Sequence, residues 1–225
     1  MISCMHVGAI ASAVKSAIGE TDPYWSSVSM LLHCETLTDS SSSPLTITNY
    51  GAVVSTANAK FGGKSLYLNS AGVYSYSAGG VISLPSVPFT FEGYINTSSV
   101  TVTETIFQLF NSLSNYYTVN IVNGAITLQS AAGTLSTTGA VASGNWYHVA
   151  WVYSSGTTYL FLNGTLIYSG TTLTYVSGGY SLFVGMQNYG TGGGFKGYID
   201  EVRFTKGVAR YTANFTPPAS AFPNQ

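Results

Sequence analysis

The residues with the most chemical reach lie close together near the end of the chain. Only seven basic and eight acidic side chains occur in 225 residues. Six of them, Lys196, Asp200, Glu201, Arg203, Lys206 and Arg210, crowd into positions 196–210. Read as a regular strand, residues 197–204 place Ile199, Glu201 and Arg203 on one face. Tyr198, Asp200, Val202 and Phe204 take the other. Asp200 then sits among large apolar neighbours, where a carboxylate must be hydrogen-bonded, paired or metal-bound. Glu201 and Arg203 read as a surface pair of small value. Arg210 can reach Glu35, Asp39 or Asp200. On this reading Asp200, Arg203 and Arg210 form a structural latch that fixes the last strand and the tail.

Two further chemistries use the same scarce carboxylates. Calcium takes six to eight oxygens, and Glu35, Asp39 and Asp200 converge if the first and last strands are neighbours. A structural calcium ion is therefore one expectation; no other cofactor is required. Glycoside hydrolysis with retention needs two carboxyls about 5 Å apart. Glu92 and Glu104 are the acids in the middle of the chain, and nothing in their spacing pairs them. His148 lies alone in a predicted strand, where packing or hydrogen bonding is its ordinary role. No nucleophile elbow, zinc signature or phosphate loop occurs. The expectation is a protein without catalytic residues.

Composition sets the wider frame. Charged residues make up 7% of the chain and the formal net charge is −1. Ser, Thr, Gly, Asn and Tyr must supply solubility, which suits a displayed protein better than a cytosolic one. Without a basic stripe, nucleic acid is not an expected partner. No apolar run is long enough for membrane insertion. The two cysteines, Cys4 and Cys34, read as buried thiols or as one bridge; spacing alone does not decide. The first twenty residues lack the basic start of an export signal. Ile10, Ala13, Val14, Ala17 and Ile18 suit one face of a short helix ended by Gly19. Pro23 then breaks the run. Residues 1–27 are thus expected to be an arm, packed on its own domain or docked into a neighbouring subunit.

From Val28 onward strand follows strand. Predicted strands cover 29–34, 88–96, 145–153 and 180–185. Asn123-Gly124 and Asn163-Gly164 each sit between alternating apolar residues, the strongest local sign of a two-residue hairpin turn. Many short strands punctuated by Gly and Ser predict two packed antiparallel sheets, an all-β jelly-roll sandwich over residues 28–225.

Several stretches then resemble a known family. They are LLHCE at 31–35 with TDSS at 38–41, AKFGGKSL at 59–66, FTFEGY at 89–94, NWYHVA at 145–150, and residues 197–218. Their order resembles the laminin G-like, concanavalin A-like lectin/glucanase domains of bacteriophage structural proteins, and the last stretch resembles phage-encoded members most. The resemblance implies a jelly roll with a non-enzymatic role, commonly glycan or surface binding, on a virion. Related domains often carry calcium. The E-x-D-x-x-E run of glucanases on this fold is absent.

The aromatic supply fits that implication. Seventeen tyrosines exceed what a core needs, and Tyr tips want water or a partner. Tyr74, Tyr76, Tyr116, Tyr117, Asn188 and Tyr189 lie in predicted loops or strand ends, where they either stack on sugar rings or merely solvate the sandwich edge. The combined expectation is a phage particle protein at the virion surface or tail. Residues 1–27 would hold it to other virion proteins, in many copies or as a homo-oligomer, and it would attach to a host-surface glycan. The alternatives are a capsid decoration protein without a glycan ligand, or a polysaccharide-degrading enzyme.

Overall fold

The alternating pattern becomes strand after strand between Val28 and Lys206. The computed structural model describes residues 21–70, 72–75, 81–84, 87–171, 175–188 and 193–225. A 3-10 turn, Trp25–Ser27, precedes β1 (Val28–Leu32), β2 (Ile47–Tyr50), β3 (Val53–Ser55), β4 (Ser65–Asn69), β5 (Gly72–Ser75) and β6 (Ile82–Leu84). Then come β7 (Phe89–Thr97), β8 (Glu104–Ser112), β9 (Asn115–Val122), β10 (Ala125–Ser130) and β11 (Gly133–Ala140). The last are β12 (Tyr147–Ser154), β13 (Thr157–Leu162), β14 (Thr165–Gly170), β15 (Gly178–Val184) and β16 (Lys196–Lys206).

The strands form two antiparallel sheets. The first runs β14-β13-β12-β7-β16-β4-β3, with β1 also on β16; the second runs β11-β10-β9-β8-β15-β5-β2, with β6 on β15. Asn123 and Gly124 have φ of 49° and 78°, and Asn163 and Gly164 have 49° and 75°. Both pairs therefore take the left-handed conformation that matches strand twist. Inward side chains of the two sheets make one core. Phe91 of β7 stacks on Phe107 of β8 at 4.3 Å, across the layers. This is the all-β two-sheet sandwich expected from the sequence. The expected helix over residues 10–18, and Cys4, lie outside the described residues. Cys34 is a buried free thiol. Among the described residues no helix is long and apolar enough to cross a membrane.

β16 is the pivot of the first sheet. It pairs with β7 on one side; on the other it pairs with β4 at its start and β1 at its end. It is not a regular strand. Its register with β7 shifts between Asp200 and Arg203, and Glu201 has φ of 49°. This bulge resets the alternation, as an extra residue in one strand must. Ile199, Val202 and Phe204 all enter the same core. The expected faces are corrected accordingly: Asp200 does not share one with Val202 and Phe204.

Candidate functional site

The crowded charges are drawn into the protein. Arg203 stands opposite Glu92 of β7. Its Nε and Nη2 donate to Glu92 Oε1 at 3.0 and 2.8 Å, and its Nη1 donates to Asp22 Oδ2 at 2.9 Å. Arg210 donates from both terminal nitrogens to Asp22, at 3.0 and 2.7 Å, and from Nε to Thr205 Oγ1. The other Glu92 oxygen accepts from the Tyr211 hydroxyl and faces His148 Nε2 at 3.2 Å. The Arg203 guanidinium lies 3.9 Å from the centre of the Phe222 ring. Burial pushes the Glu92 carboxyl up, but Arg203, His148 and Arg210 outweigh it and hold the group well below the usual carboxylate range.

Arg203 and Arg210 tie β16 and the tail to Glu92 and Asp22, partners other than those expected, and Asp200 makes no ion pair among the described residues. Arg210 reaches Asp22, not Glu35, Asp39 or Asp200. Glu201 and Arg203 are not a surface pair: both are buried. Glu201 instead faces His33 Nδ1 at 2.9 Å and accepts the Phe222 backbone N–H at 2.8 Å. Residues 22–27, assigned by sequence to the arm, touch the domain through these bonds. The Asp22 N–H also donates to the Gln225 carbonyl, and Trp25 packs beside Phe222.

The three carboxylates expected at calcium each hold a loop by its backbone. Glu35 Oε1 accepts from Gly63 and Lys64 N–H. Asp39 accepts from Leu31, Ser41 and Leu45. Asp200 accepts from Lys60, Phe61 and Glu201. Burial still pushes Asp200 up to about 6, with those amide bonds opposing the rise. Among the described residues, no group of three or more His, Cys, Asp or Glu side chains gathers as a metal would require. Glu35 and Asp200 hold neighbouring amides of the β3–β4 loop, and Asp39 holds others, at Leu31, Ser41 and Leu45. Glu92 and Glu104 do not share a strand layer. Glu104, on β8, accepts from Thr97 Oγ1 at 2.7 Å, and burial raises its pKa. Every described carboxylate thus has an internal partner.

The second sheet is chemically opposite. Its strands contain a single charged residue, Glu104. On its outer face a ladder of amides and hydroxyls crosses β8, β9 and β10. Thr105 Oγ1 donates to Asn120 Oδ1 at 3.0 Å, and Asn120 Nδ2 donates to Gln129 Oε1 at 3.1 Å. Gln108 Nε2 donates to Thr118 Oγ1 at 3.1 Å, and Gln108 Oε1 accepts the Asn188 N–H at 2.7 Å. Thr127, opposite Asn120, keeps a buried hydroxyl with no partner among the described residues. Phe110, Phe183, Met186 and Tyr116 form an apolar cluster beside the ladder.

Tyr116 links this face to an open cleft of about 70 Å³. The cleft is walled by the turn 112–115, the turn 130–133 and Val176. Of the residues expected to bind sugar, the structure brings Tyr116 and Asn188 to this sheet's outer side, both half-buried. Tyr117 also lines the cleft, but it belongs to the core. It is 2% exposed and packs on Tyr175 at 4.4 Å, and its hydroxyl accepts the Val176 N–H. Tyr74 is on β5 opposite Phe183; its side chain, Tyr76 and Tyr189 lie outside the described residues. Gln108, Thr118, Asn120 and Gln129 were not singled out by sequence. Their signal was the polar half of the alternation in TVNI (118–121) and TLQ (127–129).

The family model described as concanavalin A-like lectin/glucanases superfamily (Laminin_G_3) matches residues 69–210. No curated protein matches the chain. Among solved structures, domain 4 of AbnA, a GH43 extracellular arabinanase from Geobacillus stearothermophilus solved with arabinotriose, is similar. Its TM-score is 0.63 at 20% identity, over 81% of this chain and 93% of that one. The receptor-binding domain of botulinum neurotoxin type G gives 0.59 at 13% identity, over 85% of this chain and 49% of that one. The binding domain of botulinum neurotoxin serotype D/C gives 0.63 at 13%, over 89% and 50%. This chain spans about half the length of those toxin domains. Likeness at these identities establishes the shared fold alone.

Proposed function

Given that the chain belongs to the concanavalin A-like lectin/glucanases superfamily, we propose that it is a non-enzymatic carbohydrate-binding module. Its ligand is a neutral sugar chain held on the outer side of the second sheet, at the cleft beside Tyr116. The observation that carries this reading is the uncharged ladder of Thr105, Asn120, Gln129, Gln108 and Thr118 behind the half-buried rim of Tyr116, Gln129 and Asn188. Amides and hydroxyls locked by one another hold such a rim in place, as a preorganised site requires. Tyr116 offers a ring for a sugar face and a hydroxyl for its edge. Neither Glu92 nor Glu104 is available as a catalytic acid, because each is buried within its own contacts. The reading needs no cofactor. The similar arabinanase domain, solved with arabinotriose, supports the choice of first probe. Calorimetric titration with arabino-oligosaccharides and host-surface glycans tests it. Binding that Tyr116→Ala abolishes is expected; binding of every tested sugar unchanged by that substitution would overturn the site.

The finer reading is a phage particle protein at the virion surface or tail, in many copies or as a homo-oligomer. It attaches to host glycan and is held to other virion proteins by the segment before Asp22. The phage-like ending at 197–218 supports it. Full-length protein and residues 21–225 are to be sedimented with host cells and with particles lacking the protein. Retention of the shorter form on particles would contradict the anchor.

A further inference from the structure

A second, different surface lies on the outer face of the first sheet, at the start of β16, next to the part of that face the tail covers at Tyr94. Tyr67 of β4 and Tyr198 of β16 are register partners. Their rings lie 5.3 Å apart at 48°. Val53 of β3 is the next partner outward from Tyr67. Val53 is 57% and Tyr67 38% exposed. On the inner flank Tyr198 faces Asn96 of β7. Asn96 is only 4% exposed, and its side-chain amide makes no hydrogen bond among the described residues. Two residues along the same face, Lys196 pairs in register with the exposed Asn69. Gly197 between them has φ of 136°, and a Cβ there would meet the Asn96 carbonyl at 2.1 Å, so the two strands are held close at this point.

The charge of this surface differs from what net composition suggests. Every described carboxylate has an internal partner, and both arginines are in the buried latch. Among the described residues the cations left to solvent are Lys60, Lys64, Lys196 and Lys206. Lys196 makes no ion pair among the described residues; its charge acts on Glu104, whose pKa burial raises. An exposed ring beside a half-buried one, an amide with no hydrogen bond among the described residues and an ammonium outside any ion pair there are the complement of a sugar carrying its own carboxylate. The rings take the apolar face of the pyranose, Asn96 and Asn69 take hydroxyls, and Lys196 takes the charge.

We propose that Tyr67, Tyr198, Asn96 and Lys196 form a second carbohydrate site, specific for acidic sugars of the uronate class. It lies on the opposite sheet from the Tyr116 cleft and stands or falls independently of it. An acidic peptide is disfavoured, because the platform is a flat strand face between paired strands and offers no unpaired backbone at Tyr198.

The test is titration of the full chain with trigalacturonate, with galactotriose as the neutral control and a triglutamate peptide as the acidic-peptide control. Trigalacturonate is expected to bind, and more weakly as salt is raised. The double substitution Tyr67→Ala, Tyr198→Ala should weaken it about tenfold or more. Lys196→Gln should remove the preference over galactotriose. Tyr116→Ala should leave it unchanged. Melting temperatures of the variants check folding, and both tyrosines are on the surface. No binding, binding indifferent to the tyrosine pair, or equal binding of the peptide would each overturn the proposal.

Discussion

Arg203 and Glu92, 111 positions apart, face each other in register across β16 and β7, and two guanidinium nitrogens converge on one carboxylate oxygen. This contact explains why a chain so sparing of charge concentrates it near its end. The tail and residues 22–27 fold over the outer side of the first sheet, and Asp22, Arg210, Tyr211 and Phe222 close around the pair. The second sheet is left free of the latch, and its outer side stays neutral.

Breaking the latch at its centre should be costly. Arg203→Met leaves Glu92 and Asp22 buried with one cation fewer. Removing one member of a buried ion pair costs roughly 3–5 kcal/mol. Urea unfolding should show a loss of that order, and a loss near zero would mean that Arg210 alone satisfies both acids.

Acid should unfold the domain through Glu92. Its folded pKa lies at about 2 against an ordinary 4.5. Its contribution is therefore complete above 4.5 and disappears as pH falls through about 2. Asp200, raised from 3.8 to about 6, works the other way: it lowers stability as pH climbs through that interval. His33 is raised above 6.5 by its bond to Glu201, so its contribution is full below 6.5 and is lost as pH rises through the folded value. Urea midpoints between pH 2 and 9 should fall at both ends. Glu201→Gln should lower the pH at which His33 titrates by NMR.

Truncation should separate the segment before Asp22 from the domain. Residues 21–225 keep Asp22 and should melt like the full chain. Residues 26–225 lose it, leaving Arg203 and Arg210 with Glu92 alone, and should melt several degrees lower. Equal melting of the two fragments would show that Asp22 contributes nothing.

Calcium should not matter to stability. Glu35, Asp39 and Asp200 each spend their oxygens on two or three backbone N–H groups. A site filled at a hundred times its Kd would stabilise by roughly 2.7 kcal/mol. Melting with calcium and with chelator should coincide; a clear rise with calcium would contradict this assignment.

Fold and site were legible to different depths. Alternation and the two Asn-Gly turns are local signals, and they give both hairpins and the layered sheets. The crowding of charge at 196–210 announces a latch, but its partners come from residues 22 and 92, which no local pattern connects to it. The face assignment on β16 fails because the bulge at Glu201 depends on what lies beside the strand. Tyr116 and Tyr117 are neighbours of one type, yet alternation sends one outward and the other into the core. The Tyr67–Tyr198 pair joins positions 131 apart and needs the register of β4 on β16.

The account rests on sugar binding at the neutral sheet. The most direct measurement is an amide NMR map of the full chain titrated with a neutral oligosaccharide that binds it. Shifts confined to Tyr116, Gln129, Asn188 and the turns 112–115 and 130–133 are the predicted result. Shifts confined to the first sheet, or none with any neutral sugar, would contradict it.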